Sequence, residues 1–239
     1  ANGYEIKQIK TYDNFPMTKH VESTELWREK YDQLKSRAPD KYEQGEDAES
    51  YISDMGLFAE FGKIACISMG VLCLENNTLK IRLKSIYDTD ERKILTVFHD
   101  ILAKLKNYQI CGHNIKEFDI PYIARRMIIN NIPLPQIILD ARKKPWSSPI
   151  LDTMDLWKFG DYKHYTSLKL LCNTLGVKSP KEDIAGKDVY RVFYQEKDLD
   201  RISHYCENDV IATIQVFLKL SGKECVDEGN IERMTNIDS

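Results

Sequence analysis

The apolar positions of this 239-residue chain change period several times, and each change predicts an element. The longest apolar run, Lys63 to Leu74, carries Ile64, Ala65, Cys66, Ile67, Met69, Val71 and Leu72, as expected of a central strand buried on both faces. Glu75, Asn76 and Asn77 supply turn chemistry, and then Leu79, Ile81 and Leu83 alternate with Thr78, Lys80 and Arg82. The two segments predict a hairpin. Upstream, residues 4–12 alternate crudely as a strand, and residues 24–35 place Leu26, Trp27, Lys30, Tyr31 and Leu34 along one side of a helix. Residues 36–55 are polar and acidic and predict a surface excursion or lid.

Downstream, Asp88 and Glu91 are spaced as a helix-capping pair ahead of the stripe Ile94, Leu95, Phe98, Ile101, Leu102 and Leu105. A short strand, Tyr108 to Cys111, leads into an amphipathic helix bearing Ile123, Met127 and Ile128, with Pro121 in its first turn. Residues 133–149 read as irregular, Ser167 caps a helix that stops at Gly176, and 177–197 is a charged loop. The last strong pattern is a helix from about Leu199 to Leu220, with Ile202, Cys206, Val210, Thr213 and Phe217 on its buried stripe, followed by a polar tail over 221–239. Strand and helix alternate through the middle, which implies an α/β fold with a parallel half to its sheet. Residues 1–239 are read as a single domain.

Composition narrows the partners. The chain is 42% apolar and 30% charged with a formal net charge of -3, so any polyanion must be met by a local basic patch. Arg125, Arg126, Arg142, Lys143, Lys144 and Trp146 offer charge and an aromatic for strand binding, although the negative net charge favours reading them as a solvated loop. The six cysteines include no Cys-x-x-Cys pair and read as small core residues in a reducing compartment. No apolar run is as long as a membrane span, and the expected location is the cytoplasm. Oligomeric state is not legible.

Candidate chemistry centres on Gly112 to Pro121. Asn114 and Asp119 follow a strand, where open α/β sheets place their ligands; an ordinary helix cap is the alternative for Asp119. On the last helix Tyr205 and Asp209 share a face, although spacing alone favours a solvated one. A second Tyr-x-x-x-Asp, Tyr194 to Asp198, lies in the charged loop and carries no weight. Two carboxylates from distant elements suit Mg²⁺ or Mn²⁺, which prefer hard oxygen ligands and complete their shells with water and phosphate oxygens. His113 and His204 read as structural hydrogen-bonding groups, and Asp152 and Asp155 as caps.

Taken in order, Gly112-His113-Asn114, Phe118-Asp119-Ile120-Pro121, Asp152 to Trp157, Thr166-Ser167-Leu168, Ser179-Pro180-Lys181 and Tyr205 to Val210 resemble the DEDDy 3′–5′ exonucleases. The branch they resemble is that of predicted exonucleases similar to the proofreading domain of B-family DNA polymerases, over roughly Phe58 to Leu220. The resemblance implies a ribonuclease-H-like mixed five-stranded sheet, its first three strands antiparallel, with helices on both faces. It also implies two divalent ions, Mg²⁺ or Mn²⁺, and a single-stranded 3′ end of DNA, or of RNA, as substrate. Asp119 and Asp209 match metal ligands, Tyr205 the residue that orients the attacking water, and Asn114 a substrate-side polar residue, with Phe118 beside it.

One motif departs. The family's first strand should end in Asp-Ile-Glu-Thr, and neither way of placing that strand in this sequence supplies an Asp-x-Glu. Anchoring on Phe15-Pro16 keeps one acid, Asp13; anchoring on Leu26-Trp27 puts Glu5-Ile6-Lys7-Gln8 there, with a lysine that would repel the ions. The alternatives are an active nuclease, a catalytically degenerate module that binds nucleic acid or docks a partner, and a chain whose natural start is not residue 1.

Overall fold

Among the described residues, six strands form one mixed sheet in the order β5-β4-β1-β2-β3-β6. They are β1 (Ile6–Tyr12), β2 (Cys66–Glu75), β3 (Thr78–Tyr87), β4 (Gln109–Gly112), β5 (Ile150–Asp152) and β6 (Ile231–Arg233). β1, β2 and β3 are antiparallel neighbours, whereas β4 and β5 extend the sheet in parallel from β1, and β6 lies parallel to β3. The computed structural model describes residues 6–12, 21–42, 47, 48, 50–105, 108–143, 147–161, 165–178 and 184–234. Its helices are α1 (Val21–Arg37), α2 (Glu91–Ala103), α3 (Asp119–Ile129), α4 (Gln136–Asp140), α5 (Thr153–Lys158), α6 (Leu168–Leu175), α7 (Val189–Arg191) and α8 (Leu199–Leu220).

The alternation of β2 sorts the two layers. Ile67 and Met69 join Ile94, Phe98, Ile123 and Met127 of α2 and α3 on one face. Cys66 and Leu72 meet Tyr205, Cys206, Val210 and Ile214 of α8 on the other. Gly70 lies on that second face, where a Cβ would come within 2.7 Å of both Val210 and Ile214, so α8 approaches the sheet as closely as it does only over a glycine. The β2–β3 hairpin turns on Asn76 and Asn77, both with positive φ (48° and 62°), the turn that suits the strand twist.

Several expectations change. The sheet has six strands rather than five, because the presumed polar tail supplies β6: Val226 is buried, Gln215 exchanges two hydrogen bonds with its backbone, and Glu232 pairs with Lys80 and Arg82. The presumed excursion at 36–55 packs on α1: Trp27 Nε1 donates to the Ala48 carbonyl (2.8 Å), and Tyr42 and Tyr51 sit edge-on or tilted against Tyr31. Its aromatic residues, sparse among acids, were outweighed by net polarity. The stretch taken as irregular contains α4, and the charged loop contains α7 and a π-helical turn, with Val189, Val192 and Phe193 buried. Asp198 of the discounted Tyr194–Asp198 pair caps α8, accepting from the Arg201 N–H (3.0 Å).

Glu91 is also not a cap. Asp90 caps α2, and Asp88 accepts from the Asp90 N–H. Glu91 is buried against Arg126 (Oε2–Nη2 2.5 Å; Oε1–Nε 2.8 Å) and also accepts from the Ile64 N–H (2.6 Å), tying α2 and α3 to the entrance of β2.

Candidate active site

The segment between β4 and α3 is held in place from β5. Asp152, at the end of β5, accepts from three backbone N–H groups: Asn114 (2.8 Å), Lys116 (3.1 Å) and Met154 (2.9 Å). The last bond caps α5, as the sequence predicted; the first two shape the 113–118 loop, and no local spacing announces them. Gly112 is needed because the chain turns back so sharply that a Cβ there would meet Ile115 at 2.5 Å. Asn114 takes a left-handed backbone (φ 60°), which asparagine tolerates. His113 joins the same scaffold through Nδ1 to Thr153 Oγ1 and Nε2 to the Thr166 carbonyl, both 2.9 Å. A carbonyl only accepts, so Nε2 carries a proton, and the structural reading of His113 holds.

This loop delivers Asp119 as the first residue of α3, 3% exposed. The residue at the cap position is Phe118, and α3 has no side-chain cap hydrogen bond, so Asp119 is not an ordinary cap. A carboxylate in the first turn sits where the helix dipole favours negative charge. Phe118 is half-buried, its ring 5.8 Å from that of Tyr122. The Asn114 Oδ1 is buried and has no hydrogen-bond partner among the described residues.

On α8, Tyr205 and Asp209 are 7% and 6% exposed, which overturns the solvated-face expectation. Spacing defines a shared face, but only packing shows that this face is turned inward. Tyr205 packs with Ala65, Cys66, Val192 and Phe193. Tyr12, the last residue of β1, pairs with Cys66, so the end of β1 lies beside the Tyr205 cluster. α5, whose start anchors the Asp119 loop, lies against α8. Burial raises the Cys111 thiol well above its ordinary range and lowers the ammonium of Lys63, which donates to the Thr89 carbonyl (2.8 Å).

Asp13 lies outside the described residues, as do Lys144 and Trp146 of the basic cluster. Arg126 is 2% exposed and engaged by Glu91, so it leaves that cluster; long-range pairing, invisible to a count of cations, decides this. Among the described residues no group of three or more His, Cys, Asp or Glu side chains is arranged to hold a metal ion. Asp119 and Asp209 are both buried carboxylates, one at the start of α3 and the other on α8. Among the described residues no helix is long and apolar enough to cross a membrane.

The fold is that of a polymerase-type exonuclease domain. A solved family B DNA polymerase from the hyperthermophilic archaeon Pyrobaculum calidifontis superposes with a TM-score of 0.57 at 14% identity, over 92% of this chain and 25% of that one. The chain belongs to the family described as predicted 3′–5′ exonucleases related to the exonuclease domain of PolB, whose model matches residues 57–235. It is also 28% identical over 139 residues to a DNA polymerase of Archaeoglobus fulgidus, a match covering 55% of this chain and 18% of the polymerase. The chain thus corresponds to a small part of the length of either protein.

Proposed function

We propose that this protein is a metal-dependent 3′–5′ exonuclease that removes nucleotides from single-stranded DNA ends, with RNA as the other candidate strand. The observation that carries the reading is the burial of Asp119 and Asp209 at the two positions where the family resemblance expects metal ligands. Two hydrophilic carboxylates kept from solvent are costly unless they serve a cation or a tight network.

In this reading Asp119 and Asp209 would hold the divalent ions, with Asp13 as the contribution expected from the segment after β1. Bound Mg²⁺ or Mn²⁺ would lower the pKa of a water and offset charge on the leaving oxygen. Tyr205, one helical turn from Asp209, orients the attacking water through its hydroxyl. Asn114, half-buried, is the substrate-side polar residue beside the terminal nucleotide, and Phe118 borders that nucleotide. Asp152 touches no substrate; it positions Asn114 by fixing the loop backbone.

The test is incubation of the protein with a 5′-labelled single strand and Mg²⁺ or Mn²⁺. A ladder of shortened products is expected, and Asp119→Asn or Asp209→Asn should each slow it by about a thousandfold or more while the far-ultraviolet spectrum is kept. Binding without shortening in either metal would sink the catalytic reading and leave the degenerate module implied by the missing Asp-x-Glu.

A further inference from the structure

A cleft of about 570 Å³ is lined from α3, α4 and β5, with Lys116 of the 113–118 loop at its edge. Its floor is aliphatic: Ile120, Ala124, Leu134, Ile138 and Ile150. Ile128 is 61% exposed and carries the aliphatic lining out to the surface. Its rim is cationic, formed by Lys116, Arg125, Arg142 and Lys143. Asp155 engages Lys116 (3.0 Å) and Asp140 engages Lys143 (2.9 Å). Arg125 and Arg142 are exposed and have no carboxylate partner among the described residues. A chain of net charge -3 therefore concentrates two uncompensated guanidinium groups at the mouth of an apolar trough.

We propose that this cleft docks an acidic, amphipathic segment of a partner protein, with aliphatic side chains on the floor and carboxylates paired with Arg125 and Arg142. Arginine presents a planar fork that carboxylates bind in two places, and a cleft of this volume accepts two or three anchoring side chains. A nucleic-acid strand fits less well. Bases are held by stacking on aromatic rings, and the described lining has none, while phosphates alone would leave the aliphatic floor uncovered. The inference does not depend on nuclease activity, because the docking is read without metal or substrate.

The experiment is selection of a phage-displayed random peptide library on the whole chain, followed by fluorescence anisotropy with the synthesised winners and, in parallel, a labelled oligothymidylate. Acidic peptides with aliphatic residues at helical spacing should be enriched. Their affinity should fall about tenfold in each of Arg125→Glu and Arg142→Glu and be lost in Ala124→Trp, which fills the trough. The two arginines are exposed, so their variants should melt as the parent does and keep the test valid if Ala124→Trp misfolds. No enrichment, or peptides whose affinity survives the charge reversals, overturns the proposal. So does oligothymidylate as the only probe that responds to them.

Discussion

Asp152 shows what one buried side chain can organise. Its carboxylate terminates three backbone N–H groups from two segments 38 residues apart, so the position of Asn114 depends on it. Asp152→Ala strands these donors and should cost roughly 2–4 kcal/mol in urea unfolding, with Asp152→Asn intermediate because one acceptor oxygen remains. The residues Asp119, Tyr205 and Asp209 were legible from motif order, whereas Asp152 was legible only as a cap. A cap is a local pattern in φ, ψ and spacing; a bond to a loop on another strand leaves no trace in the local sequence. For the same reason Arg126 looked like a surface cation, and its partner Glu91 like a cap.

At the scale of elements, α8 is the clearest case. Its period and length were readable, but burial extends well beyond the predicted stripe, to Tyr205, Asp209, Ile211 and Ile214, while Phe217 is only half-buried, and its depth against the sheet is set by Gly70 on β2. Gly70→Ala should push Val210 and Ile214 outward and lower stability by about 1–3 kcal/mol, with enhanced hydrogen exchange along the middle of α8 as the check. Unchanged exchange there would show that the helix tolerates a Cβ. Because Asp209 is the residue before Val210, the same substitution should also disturb the proposed nuclease site.

At the scale of the whole molecule, β6 covers the Ile81–Leu83 stretch of the β3 edge, which would otherwise expose unpaired backbone there. Hydrogen bonds from Lys80 and then Arg82 hold the Glu232 carboxyl below its ordinary value of 4.5. A carboxylate depressed in this way stabilises the fold above its unfolded pKa and loses that contribution as pH falls through the folded one. Wild type should therefore melt above Glu232→Gln near neutral pH, and the two should converge below about pH 4.5; added salt should narrow the gap as well. Equal melting temperatures at every pH would remove this role. On the inner side, Arg233 donates to Glu207 (2.9 Å), which accepts from Ser85 (2.8 Å) beneath α8, so β6 reaches the core two residues from Asp209.

The sequence by itself determined the class of fold, the order of the main strands and helices, the length of α8 and the residues that the exonuclease resemblance singles out. These depend on local periodicity and on ordered motifs, both carried along the chain. Only the tertiary structure decided that Tyr205 and Asp209 face inward, that Asp152 holds the Asn114 loop, that Arg126 is spent on Glu91, and that the polar tail becomes a strand. Each of those is a pairing between residues distant in sequence, fixed by which faces the packed sheet and helices bring together. Nothing in local spacing encodes that choice.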